Sequence, residues 1–438
     1  AALDVALTCS PHLAEPEAVF CQRTALVPRL QTAPFNPDGL VQLNLHARGA
    51  IRNLFIEPQP ALGLVDENSV LLRVRAVGLN FRDVLNVLGE YPGDPGPPGG
   101  DAAGVVTDAV ARSAFGLSHA PLASQAATLT SLLAPKPMAS PFEQACTLPT
   151  TWSTTHIAVG RARLHASIAI TIQAAAGGVG LKAVEYAQWL SARPLGTAGR
   201  PHKHAHLHSM GVKALCSSRD SSALAFGVTR LGDATRFHAV LNSLSLDFIP
   251  SSFTSLSEGG AFEEIGKRGI WEQHRHLKSA PWTSYDVIAL DVDLALNPVW
   301  MHGMLLLVAQ RVDVATVTSL PVRSFNMTTQ HELGFRMLQG GQNTGKIVVR
   351  ISAAAPDGGV HVITGGTGGL GILTSRWLMR RGASQLVLAS RSGEVREQNL
   401  EWDALKASDV PVSLERCDMT HVAHVHRLLA PLTPRFNV

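Results

Sequence analysis

The chain has 438 residues, of which 45% are hydrophobic and 16% charged, and this is enough apolar material for more than one folded core. A formal net charge of +3 without a polybasic run argues against nucleic acid as a partner. Scattered cysteines without CxxC spacing (Cys9, Cys21, Cys146, Cys216 and Cys417) indicate neither a disulfide framework nor a structural zinc site.

The ends of the chain and its apolar segments give no sign of a membrane or an export signal. The start, "AALDVALTCS", lacks the basic segment of a signal peptide, and the most apolar helical stretch, 301–310, is far shorter than the ~20 residues of a membrane span. We therefore expect a cytoplasmic protein. Because the chain begins without Met and stops within a pattern at Val438, we expect a piece of a longer polypeptide.

The first clear element is the alternating run "VLLRVRAVGLN" at 70–80, which predicts a β-strand. A stretch rich in Pro and Gly follows at 90–104 and leads into the short strand "AAGVV". Because this loop is stiff and lies within one domain, we expect it to form the wall of a pocket.

From residue 165 onward, strands alternate with helices. We predict strands at 165–173 and 237–244, and helices at 179–192 and 205–212. Strands separated by helices form a parallel sheet with right-handed crossovers. The middle of the chain therefore predicts a Rossmann-like core.

The C-terminal part repeats this unit. The stretch "RISAAAPDGGV" (350–360) predicts a linker, with a domain boundary near 352–358. A strand, a glycine-rich turn and a helix then follow at 360–382, as they do at 165–192.

The first glycine turn, "AAAGGVG", lies where a strand passes into a helix. Gly177, Gly178 and Gly180 allow the backbone to approach a pyrophosphate, and the helix N-terminus presents N–H groups to it. Arg200 and Lys203 follow the next strand, where an NAD enzyme carries an acidic residue. These cations favour the additional phosphate of NADPH; ordinary solvated charges at a helix start are the alternative.

The histidines at alternate positions in the next helix resemble a metal-binding tract. Spacing of two suits a strand, whereas on a helix such side chains point to different faces. We expect His202, His204, His206 and His208 to be solvated and predict no metal site.

Six segments together resemble one known family. They are "VGLNFRDVLNVLGEYPG" (77–93), "LPTTWSTTHIAV" (148–159), "AAAGGVG" (174–180), "VLNSL" (240–244), "GKRGIW" (266–271) and "GQNTGKIVV" (341–349). In this order they resemble the enoyl reductase domain of type I polyketide and fatty acid synthases, a zinc-free medium-chain reductase. The second glycine turn, "VITGGTGGLG", with "LVLASRSG" and "ERCDMT" after it, resembles the cofactor half of the ketoreductase domain that follows in such synthases.

The resemblance implies an α/β fold with a Rossmann-like nucleotide-binding subdomain, a GroES-like β-rich substrate subdomain and a second, partial Rossmann unit at the C-terminus. The substrate subdomain would comprise 35–150 and 285–351, and the nucleotide-binding subdomain 151–284. Residues 1–34 would form the tail of a structural ketoreductase subdomain and a linker. Residues 357–438 would form the cofactor-binding half of a ketoreductase, truncated before its catalytic Ser, Tyr and Lys.

The resemblance also implies an activity, the NADPH-dependent reduction of the α,β-double bond of an enoyl thioester. The substrate would be carried on the phosphopantetheine of an acyl carrier protein, and the other partners would be the remaining domains of the same synthase. A homodimer stays open, because the family includes reductases that pair and reductases that do not. The reaction requires a hydride, a hydrogen-bond donor to the thioester oxygen and a proton, but no metal.

By resemblance, the catalytic candidates are Tyr91, Lys267 and Asp291. Lys267 would stabilise the enolate or donate a proton, Asp291 would hold and charge-balance that lysine, and Tyr91 matches the pocket tyrosine of the family. The alternatives are a surface charge for Lys267, a packing role for Tyr91, and Asp293 in the place of Asp291.

Cofactor contacts are assigned in both Rossmann units. In the first they are Asn80, Ala176, Gly177, Gly178, Val179, Gly180, Gly199, Arg200, Lys203, Asn242 and Ser243. In the second they are Gly365, Gly366, Thr367, Gly369, Leu370, Gly371, Ser390, Arg391 and Asp418. Arg82 and Asp83, next to Asn80, are interpreted as a local ion pair.

One departure from the family bears on activity. The further strand pair that the family carries between 104–110 and 113–137 is missing, which either shortens a hairpin or leaves part of the pocket open. Two other functions therefore stay open: a degenerate, non-catalytic reductase scaffold of the synthase, and a quinone-oxidoreductase-like enzyme that acts on free small molecules.

Overall fold

The structure is a computed structural model. It describes residues 19–21, 24–26, 40–63, 67–107, 112–222, 236–245, 247–291, 297–351, 360–379, 383, 385–395, 400–408 and 410–430. The chain divides into two units, Ala1–Asp38 and Gly39–Val438. In the first unit, β1 (Val19–Cys21) and β2 (Thr24–Leu26) pair antiparallel. Most of the predicted tail at 1–34, like Asp293, lies outside the described residues.

The second unit contains many short elements. In chain order they are β3 (Val41–Leu45), β4 (Leu54–Pro58), β5 (Ser69–Leu79), α1 (Phe81–Leu88), β6 (Asp101–Val106), β7 (Ser113–Leu117), β8 (Gln125–Leu129), β9 (Leu133–Pro135), α2 (Phe142–Ala145), α3 (Leu148–Arg161), β10 (Ala169–Ile172), α4 (Gly178–Trp189), β11 (Arg193–Ala198), α5 (Pro201–Ser209), β12 (Ala214–Ser217), β13 (Phe237–Asn242), α6 (Phe248–Ser255), β14 (Leu256–Glu264), α7 (Gln273–Ser279), β15 (Ser284–Val287), α8 (Pro298–Asp313), β16 (Val322–Asn326), α9 (Met327–Gln339), β17 (Lys346–Arg350), β18 (Val360–Thr364), α10 (Gly369–Met379), β19 (Gln385–Ser390), α11 (Leu400–Lys406), β20 (Val412–Arg416) and α12 (Val422–Leu429). Short 3-10 helices occur at Ile51–Asn53 and Thr130–Leu132.

The substrate-side sheet has the strand order β16-β17-β5-β6-β7-β9, with β8 also pairing with β5. The long strand β5 lies at its centre because the apolar side chains of Leu72, Val74 and Val77 are fully buried. Its neighbours β17, β6 and β8 all run antiparallel to it. This sheet is the β-rich subdomain that the sequence predicts.

The shortened segment after β6 forms a direct hairpin. Strands β6 and β7 pair antiparallel from Asp101↔Leu117 to Val105↔Ser113, and β7 continues the sheet to β9. Of the two outcomes expected for the missing strand pair, the structure thus shows the shortened hairpin. The sheet itself is continuous on this side.

The second sheet is entirely parallel, in the order β12-β11-β10-β13-β14-β15. Numbered along this sheet, the order is that of a dinucleotide-binding fold, with its switch point between β10 and β13. Its core includes Ile172, Val184, Leu207 and Leu241. The predicted Rossmann-like core is confirmed.

The predicted border at 284/285 divides a strand. Strand β15 (Ser284–Val287) pairs in parallel with β14, in register from Ala261↔Ser284 to Glu264↔Val287, and therefore belongs to the nucleotide-side sheet. The border lies after Val287, since the pairing with β14 continues to that residue.

The third sheet, β18-β19-β20, is parallel and has its own core around Leu386, Leu388 and Leu405. The strand–glycine–helix unit predicted at 360–382 is present as β18 followed by α10. Among the described helices, none has the length and apolar character that crossing a lipid bilayer requires.

Candidate active site

A cavity of about 730 Å³ lies at the carboxyl ends of the parallel strands and extends to the substrate-side sheet. In open parallel sheets this end is where ligands bind. Its lining includes the first glycine turn, the cations after β11, and the three predicted catalytic residues. Residues predicted from separate motifs of the sequence therefore share one cavity between two sheets.

The first glycine turn supplies a helix N-terminus to this cavity. Gly177 caps α4 with an extended backbone, so the N–H groups of the first helical turn have no acceptor within the helix. A Cβ at Gly180 would lie 2.6 Å from the Ala174 carbonyl oxygen, and one at Gly178 would lie 2.9 Å from Thr151 Cγ2. Only glycine allows this close packing, and the free N–H groups form a site for a phosphate.

Three cations line the other end of the cavity: Arg200, Lys203 and Arg219. The pKa of Lys203 is lowered, first by burial and then by the charges of Arg200 and Arg219. The Nε atom of Arg200 is buried without a hydrogen-bond partner among the described residues, and Lys203 donates a 2.9 Å bond to the Gly341 carbonyl oxygen. Mutual repulsion and an unsatisfied donor indicate a site for an anion.

Arg219 was not predicted from the sequence. It follows β12, which lies next to β11 in the sheet, and a Cβ at Gly199 would lie 3.0 Å from Arg219 Nε. The only signal in the sequence was a basic residue just after a short strand. Because adjacent parallel strands end at the same sheet edge, a basic residue after β12 lies near those after β11.

Tyr91, Lys267 and Asp291 form a cluster at the substrate end of the cavity. The Tyr91 hydroxyl donates a 2.7 Å hydrogen bond to Asp291 Oδ2, and Lys267 Nζ donates a 3.0 Å bond to the Ile288 carbonyl oxygen. Burial tends to raise the pKa of Asp291, but the Tyr91 hydrogen bond and the charges of Arg82 and Lys267 lower it overall. Asp291 is thus an anion beside Lys267.

Burial, followed by the hydrogen bond to Asp291, raises the pKa of Tyr91 to about 12. The guanidinium of Arg82 lies 5.1 Å from the centre of the Tyr91 ring. Tyr91 is therefore held as a neutral phenol, with its ring fixed by a cation on one face.

Arg82 and Asp83 do not form the local ion pair that was expected from the sequence. Arg82 lies 3.8 Å from Asp291, while the buried Asp83 carboxylate accepts bonds from the backbone N–H groups of Asn80 (2.7 Å) and Gly99 (2.9 Å). Asn80 and Asp83 make a reciprocal capping box at the start of α1. Because the Asp83 carboxylate accepts hydrogen bonds from backbone N–H groups, it does not pair with Arg82, and Arg82 lines the cavity instead.

Of the two residues assigned to the cofactor at the end of β13, Ser243 lines the cavity and Asn242 does not. Asn242 is fully buried and donates through Nδ2 to the Leu244 carbonyl oxygen and to Glu264 Oε2, both at 2.7 Å. Glu264 also accepts from the Gly266 N–H at 2.6 Å, and burial raises its pKa to about 7. Asn242 therefore braces the segment that carries Lys267.

Asn80 lines the cavity within a buried network that was not predicted from the sequence. Lys346 Nζ donates to Asn80 Oδ1 (2.5 Å) and Asp101 Oδ2 (3.0 Å), and Asn80 Nδ2 donates to the same carboxylate oxygen (3.0 Å). Asp101 Oδ1 accepts from the Thr150 N–H at 3.0 Å. The signal that could have found this network was a charged residue at the first position of each of two apolar strands, β6 and β17.

The second glycine turn has the same construction as the first. Gly365 has a φ of +64°, and a Cβ at Gly371 would lie 2.5 Å from the Gly365 carbonyl oxygen. The Ser390 hydroxyl accepts from the Gly393 N–H at 2.9 Å, and Arg391 follows it at the end of β19. Hydrogen bonds from the backbone N–H and then from the hydroxyl of Thr420 lower the pKa of Asp418. Thr367, Gly369 and Leu370 complete this turn at the start of α10.

All four histidines lie within α5, but they are not all solvated as expected, because the Nε2 atom of His206 is buried. His204 Nε2 bonds to the Ala198 carbonyl oxygen at 2.7 Å. Across the described residues, no group of three or more His, Cys, Asp or Glu side chains could hold a metal ion.

Known proteins resemble the chain in two ways. The crystal structure of CurK enoyl reductase is 32% identical, with a TM-score of 0.66 over 72% of this chain and 99% of that one. The chain belongs to the enoyl reductase family. In addition, the KR domain family model matches residues 359–437 of the chain, which form a ketoreductase segment.

Polyketide synthases match both parts of this enoyl reductase chain. A phenolphthiocerol/phthiocerol polyketide synthase of Mycobacterium tuberculosis is 32% identical over 391 residues, covering 83% of this chain and 18% of that protein. The chain spans only a small part of the curated relatives it matches, for example 18% of this protein and 20% of a spectinabilin polyketide synthase protein of Streptomyces orinoci. Quinone oxidoreductase from Escherichia coli, complexed with NADPH, is 18% identical with a TM-score of 0.63 over 71% of this chain and 99% of that one, which shows a shared fold.

Proposed function

We propose that this enoyl reductase uses NADPH to reduce the α,β-double bond of an enoyl thioester carried by an acyl carrier protein in a polyketide synthase. One observation carries the proposal: a single cavity joins the glycine turn and three cations to Lys267, Asp291 and Tyr91. A reductase that uses a nicotinamide cofactor needs both ends of this cavity, because one must bind the phosphates and the other must place polar groups at the reacting carbons.

The chain's residues fit NADPH at the nucleotide end. The N–H groups that begin α4 would hold the pyrophosphate, and Arg200, Lys203 and Arg219 would hold the 2′-phosphate. A bound anion would give the buried Nε of Arg200 an acceptor, and it would offset the repulsion by Arg200 and Arg219 that, after burial, lowers the pKa of Lys203. NADH, which lacks that phosphate, would leave the repulsion in place.

At the other end, the bound nicotinamide would supply a hydride to the β-carbon. Negative charge then develops on the thioester oxygen, and Lys267 is the cation placed to stabilise it and to provide a proton for the α-carbon. Asp291, whose pKa the charge of Lys267 helps to lower, would balance the charge of this amine. Tyr91 retains its proton and orients Asp291 through their hydrogen bond.

The Pro-rich loop and Arg268 both line the cavity at its substrate end, where a substrate on a flexible arm would enter. Gly99, Pro95 and Pro97 line it on the loop side. We assign the phosphopantetheine arm of a carrier protein to this end of the cavity, with the other synthase domains as further partners. The ketoreductase segment would hold a second nicotinamide cofactor through the turn at 365–371.

A thioester assay tests the proposal. The chain should bind NADPH, seen as a change in its fluorescence, and should oxidise it when crotonyl-phosphopantetheine or crotonyl-carrier protein is added. Binding without turnover would indicate the non-catalytic scaffold. Turnover of quinones without turnover of the thioester would instead assign the cavity to free small molecules.

A further inference from the structure

Lys346 and Asp101 form a buried ion pair next to the cavity. Their charged atoms are 3.0 Å apart, and the side chains are 4% and 0% exposed. A buried pair of this kind contributes little net stability, because the loss of hydration offsets the attraction. The function of the pair is therefore to hold neighbouring side chains in place.

The pair fixes two cavity-lining residues. The Asn80 amide is held at both ends, with Oδ1 accepting from Lys346 and Nδ2 donating to Asp101. The other oxygen of Asp101 accepts from the N–H and the hydroxyl of Thr150, at 3.0 and 2.5 Å. Asn80 and Thr150 therefore have a single orientation at the cavity wall.

Lys346 and the residue before it also contact the first glycine turn. The N–H of Gly345 donates a 2.8 Å bond to the Ala176 carbonyl oxygen, and Gly345 forms a parallel bridge with Gly177. A Cβ at Gly178 would lie 3.4 Å from Lys346 Cδ. The aliphatic part of Lys346 thus packs on the turn, while its ammonium group holds the substrate wall.

We propose that Lys346 and Asp101 are positioning residues that fix the distance between the glycine turn that would hold the cofactor and the substrate-side wall at Asn80. The inference depends on the proposed function, since it assumes that a hydride passes between the two. Hydride transfer is sensitive to such distances, because misplacement by about 1 Å can cost on the order of 10²-fold in rate. Cofactor affinity would depend mostly on the groups that hold the phosphates, which substitutions of Lys346 and Asp101 leave in place, and should change less than kcat.

The test compares two double variants. Lys346→Met alone would strand the buried Asp101 carboxylate, so the informative variant is Lys346→Met/Asp101→Asn, which removes both charges and keeps an acceptor for Thr150. The matched control is Lys182→Met/Glu185→Gln, because the buried Lys182 and the partly exposed Glu185 form another ion pair and neither residue lines the cavity. Lys346→Arg with native Asp101 tests rescue by charge.

We expect Lys346→Met/Asp101→Asn to fold, to bind NADPH within about 3-fold of the native chain, and to lose about 10-fold or more in kcat. The isotope effect measured with cofactor deuterated at the transferred position should increase, and Lys346→Arg should recover part of kcat. The control pair should change the melting temperature without changing the isotope effect. A folded variant with native kcat and native isotope effect would overturn the proposal.

Hydrogen exchange separates this inference from the proposed function. In the Lys346→Met/Asp101→Asn variant, amide exchange should increase in peptides that cover both 176–180 and 80–83, whatever the native chain reduces. If the native chain does not reduce the thioester yet the two peptides respond together, the proposed function fails and the coupling holds. If only one peptide responds, the coupling is wrong.

Discussion

The hydroxyl of Tyr91 donates a 2.7 Å hydrogen bond to Asp291, 200 residues later in the chain. One partner follows helix α1 in the substrate-side subdomain, and the other follows strand β15 of the nucleotide-side sheet. The bond therefore joins the segment after α1 to the segment after β15 at the substrate end of the cavity.

Tyr91→Phe should shift the pH dependence of turnover. The hydrogen bond from Tyr91 lowers the pKa of Asp291 against the effect of burial, so its loss raises that pKa. The acidic limb of the kcat profile with crotonyl thioester should move to higher pH. Tyr285→Phe is the matched control, since Tyr285 bonds to the Trp271 N–H outside the cavity. Superimposable native and Tyr91→Phe profiles would contradict the role given to this bond.

Lys267→Met should reduce thioester turnover by about 10²-fold or more, because it removes the cation opposite the developing enolate. NADPH binding should stay within about 3-fold, because the cofactor phosphates would contact other residues. The control is Lys278→Met, an exposed lysine of α7. Equal losses in kcat and in cofactor affinity would assign Lys267 to binding instead.

Lys203→Glu should weaken NADPH binding by about 10-fold or more, and NADH binding much less. The substitution places an anion beside Arg200 and Arg219, where the 2′-phosphate would lie. Lys213→Glu makes the same charge change at an exposed site of the same subdomain. Fluorescence titration with both cofactors measures the ratio, and equal weakening of the two would remove the 2′-phosphate role.

Glu263→Gln should stabilise the protein at alkaline pH. Burial, followed by the charge of Asp286, raises the pKa of Glu263 from 4.5 to about 8, and neither carboxylate oxygen has a hydrogen-bond partner in the described part of the chain. The folded state therefore loses stability as pH rises from about 4.5, where the unfolded chain ionises, to about 8, above which the penalty is complete.

The gain from Glu263→Gln should be on the order of 3 kcal/mol at pH 9 and small at pH 5, which thermal or urea unfolding at the two pH values measures. Glu258→Gln, at an exposed position of the same strand β14, should show no such difference. A gain of equal size at both pH values would exclude ionisation of Glu263 as the cause.

The parallel sheet and both glycine turns could be predicted from the sequence because their signals are local. A strand that ends in glycines and continues as a helix is legible within about 25 residues, as at β10 and α4. The border at 284/285 was misplaced because β15 has only four residues, Ser284–Val287, and is defined by its pairing with β14. Four residues are too few to show the alternation of apolar and polar side chains by which a strand is predicted from sequence.

The site was partly predictable for the same reason. Residues that follow strands could be assigned, but the partners of Arg82 and Lys346 could not, because these contacts join positions more than 200 residues apart. At Asp83, two interactions compete for one carboxylate. An acidic residue beside an arginine predicts an ion pair, but the Asp83 carboxylate caps the start of α1 instead. The side chain of Asn242 similarly donates a hydrogen bond to Glu264 and does not line the cavity.

The crowded cations at Arg200, Lys203 and Arg219 have a practical consequence for handling the protein. Inorganic phosphate, sulfate or citrate would relieve their repulsion in the absence of coenzyme, and so would raise the melting temperature of the apoprotein. The same ions would then compete with the coenzyme, and titrations in phosphate buffer would understate its affinity. A zwitterionic buffer at moderate chloride concentration avoids this competition.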